Sequence, residues 1–368
     1  MSVTPGKPTV FLVTTVAEQL RHHYGMHIDL LVASGVELHV FASGADTHHL
    51  ERSVMAHGLP IGRGLGVRGF VRSTWSVARA GRRLRPDLVI YGSPAASLSA
   101  AMATVLTSPR RVFIVHGLRE ETLKGPKRWL IHALTILTAL LSTRVVFASP
   151  SLKVSAGEFM KSLSRSTVAP GGAVGVEVPR EAKLKAREPR VVGYVGRLAK
   201  DKGLEELVDA FCMLLRTHPD LELLIIGAPD QSDPLSPLTS AIMASHPAIT
   251  VTGFAQDVRP FYDQMDIFCL PSKREGLPTA ILEAMAARVP VVAADATGTR
   301  DIVDSSTGRL CSVGDADSLA RALRLALEGP EESATRAANA YDLVSHTYDR
   351  VIVANWWHDF YSKELAGR

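Results

Sequence analysis

The chain has 368 residues, enough for two domains of ordinary size, and its 46% hydrophobic and 21% charged residues exclude a disordered or fibrous protein. The three cysteines, Cys212, Cys269 and Cys311, are too far apart for a metal-type spacing and indicate free thiols in a reducing compartment, which predicts a cytoplasmic protein. The net charge of +4 conceals an uneven distribution, because 20 Lys and Arg accompany 9 Asp and Glu up to Gly175, and 21 accompany 28 from Val176 onward. The basic first half therefore predicts contact with an anionic partner such as membrane lipid or nucleic acid.

Strand-like apolar runs alternate with helix-length segments in both halves of the chain. In the first half the runs are Thr9–Thr14, Val36–Ala42, Leu88–Tyr91, Val112–Val115 and Arg144–Ala148. In the second half they are Val191–Val195, Leu221–Ile226, Ile249–Thr252, Ile267–Leu270, Val289–Ala293 and Leu310–Val313. This alternation predicts two doubly wound parallel sheets whose ligands bind at the carboxyl ends of the strands. Residues 170–190, rich in Gly, Pro and charge, predict the linker between domains 1–175 and 176–345.

Two segments of the first half raise the question of a membrane. The segment Arg63–Arg85 holds seven arginines among Phe70, Val71 and Trp75. A basic helix with aromatic side chains is typical of an anionic membrane surface, and a solvated helix packed on the sheet is the alternative. No RNA-binding motif accompanies the arginines, so no nucleic acid partner is predicted. The run Trp129–Thr143 has 15 residues, too few to span a bilayer, and predicts a core helix.

Cations follow the first strand of the second half. Gly196, directly after the strand Val191–Val195, lets the backbone approach a ligand, and Arg197 and Lys202 lie in the loop ahead of the next helix. Two cations beside a helix N-terminus predict a clamp for a diphosphate group.

The stretch from Asp266 to Asp304 carries two carboxylates around a helix start. Glu275 lies in the loop after a strand, and Glu283 lies about a turn and a half into a helix predicted to begin at Pro278. The helix N-terminus suits a phosphate, and carboxylates suit the hydroxyl groups of a sugar.

These motifs resemble the donor site of retaining glycosyltransferases of the GT-B fold, of the glycosyltransferase family 4 (group 1) type. The resemblance lies in the E-x7-E spacing of Glu275 and Glu283 within PSKREGLPTAILEAMAARVPVVAAD, in the following GTRDIV and TGRL, and in GRLAKDKG from Gly196. It implies two Rossmann-like domains facing a central cleft, with the acceptor bound by residues 1–175 and the donor by residues 176–345. It also implies that residues 346–368 form a helix crossing back to the first domain, with Val351, Ile352, Trp356 and Phe360 as its apolar positions.

The resemblance implies roles for individual residues. Arg197 and Lys202 correspond to the cations that hold the donor diphosphate. Glu275 corresponds to the carboxylate on the donor sugar, Glu283 to the one on the ribose, and His116, after the strand Val112–Val115, to the histidine that contacts the sugar. Further donor-binding candidates are Gly196, Gly253, Phe254, Gly276, Leu277, Pro278 and Thr279, with Gly298–Asp301 as the loop near the transferred sugar; Arg119 and Glu120 are acceptor candidates.

The first strand–helix turn departs from the family pattern. Many relatives have a pair of glycines there, whereas this chain has Thr14, Thr15, Val16 and Ala17. The departure puts the backbone contact of that turn in doubt and suggests a different acceptor geometry.

The predicted function is the retaining transfer of a sugar from a nucleotide-sugar donor, most simply a UDP-sugar, to a hydroxyl group of a glycan or polyprenyl-linked acceptor. Cell-surface polysaccharide or glycolipid synthesis is the expected setting, with peripheral attachment to the inner face of the membrane through Arg63–Arg85. No metal and no cofactor is predicted, because no His, Cys or Asp cluster has metal spacing and the G-x-G-x-x-G of Gly64, Gly66 and Gly69 does not follow a strand. The alternatives are an epimerase or hydrolase of the GT-B fold acting on a nucleotide sugar, and a non-catalytic nucleotide-sugar-binding protein.

Overall fold

The protein forms two compact units. The computed structural model describes residues 7–17, 20, 23–44, 54–60, 66–163, 165–179 and 189–366. One unit comprises Met1–Val174 with Val351–Arg368, and the other comprises Gly175–Arg350. The observed division after Val174 is one residue from the boundary placed at 175, and the C-terminal segment of the first unit begins five residues after the position 346 expected from the sequence.

The first unit is built on a seven-stranded parallel sheet in the order β3-β2-β1-β4-β5-β6-β7. Its strands are β1 (Thr9–Val16), β2 (Glu37–Ser43), β3 (Val54–Gly58), β4 (Leu88–Tyr91), β5 (Arg110–Val115), β6 (Arg144–Phe147) and β7 (Ser166–Val168). Five of them match predicted runs. The sequence missed β3 and β7 because both lie at sheet edges, where a strand is not buried on both faces and loses the continuous apolar pattern.

In the described part of the first unit, six helices connect these strands: α1 (Gly25–Ala33), α2 (Val67–Leu84), α3 (Pro94–Thr104), α4 (Pro126–Leu141), α5 (Pro150–Ser155) and α6 (Glu158–Ser162). The crossovers β3–α2–β4, β4–α3–β5 and β5–α4–β6 run in one direction along the sheet, so their right-handedness places α2, α3 and α4 in one layer. Within that layer α2 packs on α3 and α3 on α4.

Helix α4 corrects the prediction of a core helix at Trp129–Thr143. Only Thr138 and Ala139 are buried, whereas Trp129 and Leu130 are exposed. The prediction was wrong because a run without a polar face does not indicate which side packs on the sheet. The small side chains of Thr138 and Ala139 pack inward, whereas Leu137 and Leu140 on the same helix are also exposed.

The second unit repeats the architecture with a six-stranded parallel sheet in the order β10-β9-β8-β11-β12-β13. Its strands are β8 (Val191–Val195), β9 (Glu222–Ile226), β10 (Ile249–Gly253), β11 (Ile267–Leu270), β12 (Val291–Ala294) and β13 (Arg309–Cys311). Its helices are α7 (Leu204–Leu214), α8 (Pro237–Ser245), α9 (Arg259–Tyr262), α10 (Thr279–Ala286), α11 (Ala316–Glu328) and α12 (Pro330–Leu343). All six strands were predicted, and the doubly wound fold class is confirmed.

The C-terminal helix α13 (Arg350–Ala366) packs on the first unit beside α1. Its buried face is formed by Val353, Trp357 and Tyr361, each one helical turn from the next. The Tyr361 hydroxyl and His27 Nδ1, on α1, lie 2.8 Å apart. The sequence placed the apolar face at Val351, Ile352, Trp356 and Phe360. Trp356 and Phe360 are half-buried and pack against the core, whereas Val351 and Ile352 are exposed, because aromatic residues at 356, 357, 360 and 361 suit either face.

In each sheet the order of the strands reverses at one switch point, which lies between β1 and β4 in the first unit and between β8 and β11 in the second. Such a point leaves a crevice at the carboxyl ends of the two strands, and ligands of open α/β sheets bind there. Among the described helices, none is both long and apolar enough to cross a membrane.

Candidate active site

The candidate donor residues of the second unit come from the loops that follow β8 and β11, the strands on either side of the switch point. Gly196 and Arg197 directly follow β8, and Glu275 lies in the loop that connects β11 to α10. The parallel pairing of the two strands brings both loops to one edge of the sheet.

Lys202 and Glu275 form an ion pair at this edge. Lys202 Nζ donates to Glu275 Oε1 over 2.7 Å, and both side chains are largely shielded from solvent. The pair joins a cation and a carboxylate that lie 73 residues apart in the sequence. Two candidate residues from separate motifs are therefore in direct contact.

Arg197 is held by carboxylates rather than pointing freely from its loop. Its guanidinium donates to Asp230, after β9, and to Asp201, which lies 3.3 Å away. Asp201 also accepts from Arg274 over 3.1 Å. Burial lowers the pKa of Arg197, but Asp201 and Asp230 outweigh that effect and raise it. The cation is therefore permanent.

The two loops interlock through their backbones. The amide of Lys273 donates to the carbonyl of Asp201 over 2.8 Å. Gly203, which ends the turn Lys200–Lys202, has φ +71°, and a Cβ there would lie 2.0 Å from the carbonyl oxygen of Pro271. Only glycine permits this approach, so Gly203 fixes the position of Lys202 relative to the loop of Glu275.

Helix α10 begins at Thr279 with Pro278 as its N-cap residue, one residue later than predicted. The amides of its first turn have no acceptor within the helix, and its dipole favours a negative charge at this end. Glu283 lies further along α10 and accepts a hydrogen bond of 2.7 Å from the Tyr262 hydroxyl. Burial raises the pKa of Glu283, and the hydrogen bond from Tyr262 opposes that rise.

Two glycines bring a third loop to Glu275. A Cβ on Gly298 would lie 2.3 Å from the carbonyl oxygen of Gly276 and 3.1 Å from that of Glu275. The loop that begins at Gly298 therefore packs on the backbone of the E-x7-E segment.

Gly253, with φ +76°, ends the edge strand β10, and Phe254 follows it as an exposed side chain. These two candidates lie two strands from β8, roughly 10 Å across the sheet.

His116 directly follows β5 in the first unit. Its Nε2 lies 3.2 Å from the hydroxyl of Tyr24. Burial, with a smaller effect of His23 and His27, lowers the pKa of His116 well below its ordinary value, so the ring is neutral near pH 7. At the first strand–helix turn, the amide of Thr15 donates to Ser93 Oγ over 2.8 Å.

The two acceptor candidates differ in environment. Arg119 is exposed, whereas Glu120 is buried and its Oε1 lies 3.3 Å from His132 Nδ1 on α4. Glu120 therefore has a local partner that ties the loop after β5 to α4.

Comparisons with known proteins decide the family. Residues 177–343 match the model "Glycosyl transferases group 1", and residues 25–158 match "Glycosyl transferase 4-like domain". The chain belongs to the group 1 glycosyltransferases. It is 24% identical to the capsular polysaccharide biosynthesis glycosyltransferase CapM of Staphylococcus aureus over 98% of this chain and 99% of CapM.

Solved structures show the same fold for this glycosyltransferase. Sucrose-phosphate synthase of Thermosynechococcus elongatus aligns with a TM-score of 0.84 at 17% identity, covering 98% of this chain and 100% of that one. Anabaena HepE, in complex with UDP and glucose, aligns with a TM-score of 0.78 at 20% identity, covering 97% and 100%. The predicted GT-B fold of two Rossmann-like domains is confirmed.

The sequence missed four residues that hold the candidate site of the glycosyltransferase together: Asp201, Asp230, Arg274 and Tyr262. Asp230 follows β9, and the expectation that ligands bind at the carboxyl ends of parallel strands could have identified it. Tyr262 lies 21 residues before Glu283 and carries no local signal. Among the described residues, no group of three or more His, Cys, Asp or Glu side chains is placed to hold a metal ion.

Proposed function

We propose that this glycosyltransferase transfers a sugar from a UDP-sugar, with retention of the anomeric configuration, to a hydroxyl group of a glycan or lipid-linked acceptor. The observation that carries the proposal is the convergence of Arg197, Lys202 and Glu275 at the switch point beside the start of α10. The names of two similar proteins support the donor and the setting, since HepE was solved with UDP and glucose and CapM is named for capsular polysaccharide biosynthesis.

The cations hold the donor diphosphate in this proposal. Lys202 and Arg197 neutralise the charge that grows on UDP as the bond to the sugar breaks, and the N-terminus of α10, at Gly276, Leu277 and Thr279, adds backbone donors. Lys202 exchanges Glu275 for a phosphate oxygen when the donor binds. Arg197 remains charged throughout, because Asp201 and Asp230 raise its pKa.

The carboxylates orient the donor. Glu275 accepts hydrogen bonds from hydroxyl groups of the transferred sugar, and Glu283 accepts from the ribose. Both contacts need ionised carboxylates. The Tyr262 hydroxyl favours the ionised form of Glu283 against the effect of burial.

His116 contacts the transferred sugar near the reacting carbon as a neutral imidazole. Retention proceeds by attack of the acceptor hydroxyl on the face that the UDP leaves, without a covalent bond between sugar and protein. The acceptor hydroxyl loses its proton to the departing phosphate.

The proposal includes independence from metal ions, with the cations and the dipole of α10 in the place of a divalent ion. Turnover that persists in excess EDTA is the expected result. Loss of turnover in EDTA, restored by Mg²⁺ or Mn²⁺, would contradict this part.

The experiment that tests the donor site is Glu275→Ala. Glu275 lies in a loop outside the strands and helices, so we expect a folded protein that has lost transfer from UDP-glucose or another UDP-sugar. Glu332→Ala, on α12, removes a carboxylate from the same unit as a control and should leave transfer unchanged. Near-normal turnover of Glu275→Ala would refute the assignment.

A thermal-shift screen against UDP, GDP and ADP identifies the base of the donor nucleotide, because a ligand that binds the folded state raises the melting temperature.

We also propose that the arginine-rich segment Arg63–Arg85 contacts an anionic membrane surface. Residues 63–65 lie outside the described residues, and α2 contains residues 67–84 of the segment. Arg68, Arg72 and Arg79 on α2 are exposed, and Arg79 lies over the ring of Trp75. An acceptor carried by a membrane lipid explains why a transferase would have such a surface.

A further inference from the structure

We propose that the membrane-binding surface is formed by the outward faces of α2 and α4 and by the exposed C-terminal end of α3, with α4 inserting its apolar side chains into an anionic phospholipid bilayer. This inference rests on the proposed function, because a lipid-linked acceptor gives such a surface its purpose. Binding to vesicles, however, is measured without any donor. It extends the surface from the arginine-rich helix α2 to the end of α3 and the outer face of α4, and it assigns a role to a helix that was predicted to lie in the core.

The first observation is the composition of the three helices. Together α2, α3 and α4 carry seven Lys and Arg residues and no Asp or Glu. Surfaces of soluble domains normally mix both signs of charge. A layer with cations alone is repelled by basic partners and attracted to an anionic surface.

The second observation is the exposed apolar stripe of α4. Its members are Trp129, Leu130, Ala133, Leu137 and Leu140. At 100° per residue these positions fall within an arc of about 100°, so they form one continuous stripe. Trp129 is 73% exposed. Lys127 and Arg128 lie at the N-terminal end of the same helix.

The third observation is that the neighbouring helices contribute similar side chains. Exposed Val67, Val71 and Trp75 recur every four residues on α2, next to its arginines. Residues 96–101 of α3 are buried, and exposed apolar side chains follow at Met102, Val105 and Leu106, the last of which is 94% exposed. Thr74 Oγ1 on α2 donates to the buried Ser99 Oγ on α3 over 3.0 Å, so the two helices are held together.

The pairing of apolar stripes with cations selects the partner. Apolar side chains that alternate with Lys and Arg match a bilayer whose headgroups are negative and whose acyl chains lie just below. Tryptophan is favoured at that boundary, and each helix on the two sides of the layer supplies one, Trp75 and Trp129. A second copy of the chain would have to accommodate the same cations, and self-repulsion opposes that pairing.

The test measures flotation of the full chain with vesicles of phosphatidylcholine, with and without phosphatidylglycerol. We expect binding to the anionic vesicles only. The variant with Arg72→Gln, Arg79→Gln and Arg83→Gln should lose about a hundred-fold in partition, from roughly five-fold for each cation. The matched control with Arg216→Gln, Arg321→Gln and Arg324→Gln changes the net charge equally at exposed sites of the second unit and should bind like the wild type.

A second pair of variants tests insertion. Trp75→Ser with Trp129→Ser should lower binding about ten-fold, whereas Leu238→Ser with Leu325→Ser, also exposed, should not. Brominated lipid should quench the wild-type fluorescence much more than that of the double tryptophan variant, whose remaining tryptophans, the half-buried Trp356 and the fully buried Trp357, lie on α13.

Three results would overturn the proposal. They are an absence of binding to anionic vesicles, equal weakening by the control arginine variant, and self-association in lipid-free solution that depends on Trp75 and Trp129. UDP binding in solution without vesicles, measured in parallel, reports on the donor site alone, so a failure of the membrane surface is distinguished from a failure of the proposed function.

Discussion

Replacing Glu275 by glutamine should tighten the binding of UDP while abolishing sugar transfer. In the free protein Lys202 Nζ donates to Glu275 Oε1 over 2.7 Å, with 18% and 12% of the two side chains exposed. A diphosphate that takes Lys202 as a partner must first break this pair. Glutamine removes the negative charge with which Lys202 is paired. UDP then no longer has to displace a carboxylate from Lys202 when it binds.

The size of the gain follows from the geometry of the pair. At 2.7 Å the direct attraction is about 6 kcal/mol with an effective dielectric constant of 20, and desolvation of both groups offsets most of it. Exposed pairs contribute about 0 to 1 kcal/mol, and breaking a fully buried pair costs about 3 to 5 kcal/mol. A largely shielded pair therefore contributes about 1.5 kcal/mol, which corresponds to a roughly ten-fold lower Kd for UDP.

Isothermal titration calorimetry with UDP and with uridine measures the effect. Glu275→Gln should lower the Kd for UDP and leave that for uridine unchanged, and Lys202→Met should weaken UDP alone. Glu332→Gln, which removes one negative charge near Arg309 and Arg336, is the control for net charge and should change neither. An unchanged or weaker affinity of Glu275→Gln for UDP would show that Lys202 does not exchange a carboxylate for the diphosphate.

Three further results are expected from the structure. Tyr262→Phe removes a hydrogen bond that lowers the pKa of Glu283, so the pH midpoint of uridine binding, read by calorimetry, should move upward; an unmoved midpoint would contradict the role of Glu283. Burial raises the pKa of Asp230, but hydrogen bonds from Ser232 and the ion pair with Arg197 outweigh that effect and lower the pKa to about 2. The stabilisation is therefore present above the unfolded value of about 3.9 and is lost as pH falls toward 2. Asp230→Asn should therefore lower the free energy of unfolding by about 2 kcal/mol at pH 7 and by less at pH 3, which urea titrations can compare. Trp357→Ala leaves a cavity beside α1 and should destabilise the first unit by about 3 to 5 kcal/mol in the same assay, and a loss below 1 kcal/mol would contradict the packing of α13.

The strands were predictable because a strand buried on both faces leaves a continuous apolar run in the sequence. The runs at Leu88–Tyr91, Val191–Val195 and Ile267–Leu270 coincide with strands to the residue. The faces of helices were less predictable, as α4 and α13 illustrate. In both helices large apolar residues occur on more than one side, so the sequence does not distinguish the buried side and tertiary packing makes the choice.

The members of the candidate site were predictable and their partners were not. Gly196, Arg197 and Glu275 follow strands. Because ligands of parallel sheets bind at the carboxyl ends of the strands, such residues can be identified from the apolar run that precedes them. The pairs Lys202–Glu275 and Arg274–Asp201 each join residues 73 positions apart, and nothing local encodes them. The sequence therefore predicts which groups are present at the edge of the sheet, and the fold determines which of them neutralise each other.

That neutralisation has a consequence for specificity under the proposed function. Cations that stand unpaired would attract any phosphate-bearing molecule, whereas Lys202 and Arg197 are already satisfied by Glu275, Asp201 and Asp230. A ligand must offer enough negative charge to displace Glu275 and a sugar to occupy the released carboxylate. A UDP-sugar offers both, UDP offers only the first and a free sugar only the second. Selection for the complete donor thus arises from an exchange of partners that neither fragment completes alone.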